Sequence, residues 1–272
     1  MTTPTGKQFP VGLRSAVVFE LDANGYPAAT GTGPYEGFEV VGPKAYTLDV
    51  PAVRKITFLG NDRALALDFL PATEASSAEL RTSADDIPLN SVLGAVNQYS
   101  IGEATFMNYQ TDQQGAEPDV AMLLFQQSLD TASHLRFYRF HILPKTRAIP
   151  VPAGMDENAA EMKYSLAPNP STKHLWGTSM VVNTEGSLEA GFINGMSKGR
   201  PKIVAFKGNG TATAFLFPTS KPAVSVAKVA GVWVDGVLKA GGGSDYTAAI
   251  TGITFDAPAP GSGAMIVAFY EY

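Results

Sequence analysis

Met265-Ile-Val-Ala-Phe-Tyr270 decides the fold class. Met265, Val267 and Phe269 alternate with Ile266, Ala268 and Tyr270, and both sets are apolar. A period of two suits a strand, and two apolar sets suit one covered on both faces. Ala64-Leu-Ala-Leu-Asp-Phe-Leu70 has the same period, with Leu65, Leu67 and Phe69 on one face and Ala64, Ala66 and Asp68 on the other. Working outward, the reading places further strands at 14–21, 54–60, 75–83, 99–110, 120–129, 134–143, 159–166, 177–183, 202–207, 211–217, 231–240 and 246–255. Asn24-Gly25, Asn209-Gly210 and Asp235-Gly236 are tight-turn dipeptides between them. The clearest hairpin is Val232-Trp-Val-Asp-Gly-Val-Leu238, whose Asp-Gly can take positive φ at both turn positions.

One segment departs from this period. Leu89, Val92, Leu93 and Val96 lie at i, i+3, i+4 and i+7, one face of a helix. Asp86 suits its N-cap, and Pro88 is tolerated in a first turn. Gly94 lowers its stability by about 1 kcal/mol relative to Ala. A weaker helical turn is expected at 156–161. Phe217-Pro-Thr-Ser-Lys-Pro222 interrupts the strand pattern and reads as a boundary. The expected organisation is a β unit over 1–218 and a small β module over 222–272. About 50 residues of short strands are marginal for folding without a neighbour.

Composition excludes several functions. The chain of 272 residues has no Cys, so it has neither a disulfide framework nor a thiol nucleophile nor a Cys-ligated metal. A 45% hydrophobic fraction argues against disorder. Neither a secretory leader nor an apolar run of membrane-spanning length is read, so synthesis in the cytoplasm is expected. The net charge of −5 is the wrong sign for gripping phosphates. Charge is also segregated. Residues 61–130 carry 2 basic and 11 acidic side chains, whereas 131–228 carry 12 basic and 5 acidic. Such blocks either pair within the chain or meet between subunits, where complementary patches build head-to-tail rings and stacks. An unpaired acidic face also suits a channel that must not bind DNA.

No catalytic constellation emerges. His134 and His141 are an odd number of residues apart on one strand pattern, hence on opposite faces, and His174 is remote, so no metal site is expected. Asp85-Asp86 and Asp156-Glu157 are adjacent carboxylates that diverge or stay solvated, and nothing selects a glycosidase pair. Gly31-Thr-Gly-Pro-Tyr-Glu-Gly37 lacks the Lys-Ser/Thr ending of a phosphate loop, and no Gly-x-Ser-x-Gly elbow occurs. Asn209-Gly-Thr211 is a formal sequon in an expected hairpin turn. Trp176 and Trp233 read as core or interface residues, with a sugar-stacking platform as the other reading. Phe137, Tyr138 and Phe140, interleaved with Arg136 and Arg139, read as a packed strand before a single-stranded nucleic-acid surface. Neither an enzyme nor a cofactor is expected.

Three stretches carry a family resemblance: Gly12-Leu-Arg-Ser-Ala-Val-Val-Phe-Glu-Leu-Asp-Ala-Asn-Gly-Tyr-Pro27, Arg54-Lys-Ile-Thr-Phe-Leu-Gly-Asn-Asp-Arg-Ala-Leu-Ala-Leu-Asp-Phe-Leu-Pro71, and Leu135-Arg-Phe-Tyr-Arg-Phe-His-Ile-Leu-Pro144 with Arg147 and Asn158-Ala-Ala160. Over roughly 10–217, in the order of its elements more than in any motif, the chain resembles the major tail tube proteins of long-tailed bacteriophages. Val232-Trp-Val-Asp-Gly-Val, Asp245-Tyr-Thr, Ile253-Thr-Phe, Ala257-Pro and Ile266-Val-Ala-Phe-Tyr270 resemble a small β module that recurs in phage tail and fibre proteins.

The resemblance implies a mainly β chain: a β-sandwich or split barrel with one short amphipathic helix, plus a small all-β C-terminal module. It implies a non-enzymatic virion protein of the phage tail. Such subunits form hexameric rings that stack into a tube with an acidic lumen. DNA passes through without specific binding, and a tape-measure protein and tail-tip and terminator proteins are the partners besides the chain itself. No membrane is involved. The lumen candidates are Asp68, Glu74, Glu79, Asp85, Asp86 and Glu103. Arg136, Arg139, Lys145, Arg147, Lys198, Arg200 and Lys202 are the candidates for contacts between subunits or rings. The competing expectations are a β-sandwich binding module for carbohydrate or host surfaces, and a tail terminator or capsid decoration protein.

Overall fold

In chain order the strands are β1 (Gln8–Glu20), β2 (Phe38–Glu39), β3 (Pro43–Asp49), β4 (Arg54–Gly60), β5 (Arg63–Leu70) and β6 (Ser77–Thr82). Helix α1 (Ile87–Val92) follows, then β7 (Val96–Ile101), β8 (Ala104–Tyr109), β9 (Val120–Asp130), β10 (Arg136–Val151), β11 (Met162–Pro168) and β12 (Glu189–Ile193). The C-terminal part holds β13 (Pro201–Lys207), β14 (Ala214–Leu216), β15 (Val229–Val234), β16 (Val237–Leu238), β17 (Tyr246–Ala249), β18 (Gly252–Phe255) and β19 (Met265–Glu271). This computed structural model describes residues 8–49, 54–60, 63–70, 77–83, 86–94, 96–109, 117–132, 136–151, 161–169, 171, 173, 175–177, 189–193 and 199–272. The chain is mainly β, as its period of two implies, and every strand pairing among the described residues is antiparallel.

The two-sided alternation of β19 builds the layers. β19 is an inner strand of the sheet β13-β19-β15-β16, between β13 and β15. Met265, Val267 and Phe269, with Ile203 and Ala205 of β13, enter one core together with Val17, Phe19, Leu123, Phe125 and Trp176. Ile266, Ala268 and Tyr270, with Val204 and Phe206, enter a second core against Phe215, Tyr246, Ile253 and Phe255 of the sheet β14-β18-β17. The large sheet, ordered β2-β1-β9-β10-β11-β6-β3 with β12 also on β10, is likewise covered on both faces at β1 and β9. Ala16, Val18, Met122 and Leu124 point away from the first core into a third, with Leu80, Tyr164 and Leu166 of β6 and β11. β3 comes back alongside β1 without hydrogen-bonded pairing, so the sheet curls over that third core.

α1 is shorter than its stripe suggests. Asp86 caps it, accepting a hydrogen bond from the Leu89 N–H at 3.1 Å, and Pro88 lies in its first turn. Leu89 and Leu93 are buried in the third core, but Val96 already begins β7. Gly94 ends the helix instead of weakening it. Its φ is +73°, and a Cβ there would meet Pro118 Cδ at 2.6 Å.

Other expectations divide similarly. Asp235 and Gly236 take positive φ, as the hairpin requires, and Asp235 Oδ1 accepts from the Met265 N–H at 2.8 Å. The run 99–110 is not one strand but the end of β7 and all of β8, joined at Gly102-Glu103. Asn209-Gly210 turns the chain, with Asn209 Oδ1 accepting from the Ala212 N–H at 2.7 Å. It makes no hairpin, because β13 pairs with β19 and β14 with β18. Those pairings draw 201–217 to the C-terminal strands, across the expected 218/222 boundary. Of the expected strand at 177–183 and helical turn at 156–161, residues 178–183 and 156–160 lie outside the described residues.

Phe269 and Ile266 enter opposite cores from one strand. Phe269→Ala and Ile266→Ala should each lower the free energy of unfolding, by about 2–5 kcal/mol. Urea denaturation checks this. A loss under about 1 kcal/mol at either position would mean that its face is not packed as described.

Candidate functional site

The acidic candidates do not converge on one described surface. Asp68 lies on β5, opposite Ile56 of β4. Glu79 on β6 is ion-paired with Arg81, and Asp86 is occupied as the N-cap. Glu103 is exposed at the β7–β8 turn. Glu74 and Asp85 lie outside the described residues. The hairpins β4–β5 and β7–β8 each form a two-stranded sheet of their own, so among the described residues their outer edges carry no strand partner. The second bears an exposed aromatic pair, Tyr99 stacked on Phe106 at 5.3 Å.

Several basic candidates are used inside the chain. Lys145 and Arg147 each reach Asp119 at 3.1 Å, which pairs the basic block with the acidic one internally. Lys202 is almost wholly buried, with 5% of its side chain exposed, and its Nζ lies 2.7 Å from Glu36 Oε2. Lys221 joins the same cluster at 3.8 Å from Glu36 and 3.2 Å from Glu39. Burial lowers the Lys202 pKa, and the hydrogen bond to Glu36 opposes that shift. The cluster ties β13 to the segment before β2, beside the bridge between Tyr35 and Ala205. Lys198 lies outside the described residues.

Arg136 and Arg200 lie elsewhere, at a cleft of about 690 Å³ that Arg14 also lines. Leu13 and Val40 give it apolar wall, while Gln127 and Tyr138 give it polar groups. Arg14 donates its Nε–H to Gln127 Oε1 at 2.9 Å. Burial pushes the Tyr138 hydroxyl up, against the pull of Arg14, so it remains a neutral donor. Sequence reasoning singled out Arg136 and Arg200 but missed Arg14, whose place beside them depends on the β1–β9–β10 pairing.

A second cavity, of about 430 Å³, opens where β3 approaches β1 and is lined by Tyr46, Arg139 and His141. Tyr46 Oη and His141 Nδ1 are buried there, without hydrogen-bond partners among the described residues. Burial, with Arg139 adding to it, lowers the His141 pKa. Burial also raises the Tyr46 hydroxyl to about 12. The two tryptophans make no shared platform. Trp176 is buried beside Phe19, and Trp233 packs edge-on against Phe269. Comparison with family models, characterised proteins and solved structures finds no match.

Two predictions follow the buried charges. Glu36→Ala strands the Lys202 ammonium and should cost about 3 kcal/mol or more. Lys202→Met should cost less than half of that, because Glu36 stays partly exposed and near Lys221. Equal losses in chemical denaturation would contradict this asymmetry. A histidine with a depressed folded pKa contributes stability that is fully present above its unfolded value of about 6.5. That stability is lost as pH falls through the folded value. His141→Gln should therefore flatten the decline in urea midpoint between pH 8 and pH 5, and an unchanged slope would remove His141 as its source.

Proposed function

We propose that this chain is a structural subunit that polymerises as stacked rings into a bacteriophage tail tube, a non-enzymatic conduit for DNA. The observation that carries the reading is the pair of hairpins, β4–β5 and β7–β8, that stand apart from the larger sheets. A lone two-stranded hairpin is marginal in water, and its open edges invite pairing with another chain. Closing such edges around a ring removes them, as in a barrel. The charge pattern supports the same reading. Asp68 and Glu103 lie on these two hairpins, inside the block of net charge −9. Carboxylates around a lumen repel DNA phosphates, so a duplex slides without sticking.

In this reading the lumen charge comes from the hairpins that carry Asp68 and Glu103, and Glu74 and Asp85, outside the described residues, remain the further candidates. Glu79 and Asp86 serve Arg81 and α1 instead, and contribute charge only at a distance. The rings close on this chain alone, and their hexameric number rests on the family resemblance. The tape-measure, tail-tip and terminator proteins complete the tail.

Negative-stain electron microscopy over a concentration series tests the proposal. Hollow tubes with a regular stacking repeat are expected. Discrete rings that never stack, or compact trimers, would replace it with a terminator or decoration role. Where tubes form, Asp68→Asn with Glu103→Gln should make them retain DNA during ejection, whereas unchanged ejection would remove these residues from the lumen.

A further inference from the structure

Arg14, Arg136 and Arg200 come from three distant segments and line one cleft. Arg14 stands on β1, Arg136 at the start of β10, and Arg200 just before β13. Arg136 and Arg200 are exposed, and among the described residues neither guanidinium makes a hydrogen bond or ion pair. Arg14 is held by an uncharged partner, since Gln127 accepts its Nε–H and leaves its other donors open. Gln127 is itself buried, with 4% of its surface exposed, so this anchor is part of the packed sheet. The one carboxylate lining the cleft, Glu39, is engaged by Lys221 at 3.2 Å.

The wider surroundings sharpen the contrast. Lys145, Arg147 and Lys202 all have carboxylates within the chain. Among the described residues the cleft arginines have no ion pair, although acidic side chains outnumber basic ones by five overall; Glu271, which accepts from the Gly199 N–H at the cleft edge, is engaged by Lys228 at 3.1 Å. Three guanidiniums around one concavity repel each other, and the concavity focuses their field. A guanidinium fork matches two oxygens of a carboxylate or phosphate, and charge-assisted hydrogen bonds of that kind are the strong ones.

We infer that the cleft between Arg14, Arg136 and Arg200 is a binding site for a multiply charged oxyanion. The Gln127-held Arg14 orients one fork from the sheet, and Arg136 and Arg200 close on the anion from the rim. Tyr138 supplies a neutral hydroxyl on the cleft wall. The oxygens come either from a diffusible phosphate compound or from clustered carboxylates of a second copy of this chain. The site stands whether or not the chain forms tubes.

Calorimetric titration with tripolyphosphate at low ionic strength tests it on the intact chain. Saturable binding at one site is expected. Arg136→Ala and Arg200→Ala should each weaken it about tenfold or more. Arg14→Lys keeps the charge but loses the Nε–H anchor to Gln127 and the fork it orients toward the anion, and should fall between them and the wild type. Lys239→Ala removes a positive charge elsewhere and should leave binding unchanged. Non-saturable binding, or equal loss in Lys239→Ala, would overturn the site. Sedimentation of the same samples then identifies the source. If carboxylates of a second copy fill the cleft, tripolyphosphate dissociates the assembly and the Arg136→Ala/Arg200→Ala variant does not associate. If association is indifferent to both, the occupant is a diffusible phosphate compound.

Discussion

The structure depends on one strand being apolar in both of its registers. β19 has no solvent face, because Val267 and Phe269 belong to one core and Ile266, Ala268 and Tyr270 to another. Burying both faces of a strand requires a layer on each side. The curled sheet supplies one through β1 and β9, and the β14-β18-β17 sheet supplies the other. Stability in the two halves is therefore not separable at β19. The C-terminal strands could not leave without exposing Val17, Phe19 and Phe125 on the large sheet. Lys202 follows from the same geometry: β13 lies beside β19, and its Lys is carried into the interior, where Glu36 answers it.

The local parts of this fold were legible because their causes are local. Two apolar registers in Met265–Tyr270 already imply two covers, and Asp235-Gly236 already implies positive φ. Asp86 and Pro88 marked the start of α1 correctly. Its end was misjudged because Gly94 was weighed as a helix residue, whereas its value lies in the left-handed φ and the close approach of Pro118. The Gly102-Glu103 turn was available as a Gly-x hairpin signal but was absorbed into an apparently continuous strand. β3 was missed for a different reason. Only Tyr46 and Leu48 alternate inward along Pro43–Asp49, and prolines flank the segment, so its strand character comes from β6 beside it.

Long-range features were not legible in that way. Pairing of Pro201 with Glu271 joins segments far apart in the chain, and no composition shift at Pro218 or Pro222 records it. The candidate sites divide on the same line. Segment charge counts separated an acidic block from a basic one, but they could not say which charges answer each other. Asp119 with Lys145 and Arg147 joins the two blocks inside one chain, whereas among the described residues Arg136 and Arg200 stay unpaired only nine and two positions from residues that do not.

That division constrains any assembly built from this chain. Charges already paired across the sheet add little to a new interface, because forming one contact breaks another. The groups with most to gain from a partner are those the fold leaves unanswered: the cleft arginines, the open hairpin edges and the apolar pair Tyr99–Phe106. Edges and aromatics supply association without much choice of partner. Unpaired charges supply register and orientation, because a misplaced like charge is penalised. A chain that keeps edges open carries its specificity in the charges that internal pairing leaves over. Among the described residues these include the three arginines of the cleft and Glu103 at the β7–β8 turn. Their positions, more than the total of −5, would decide which copies meet and in what order.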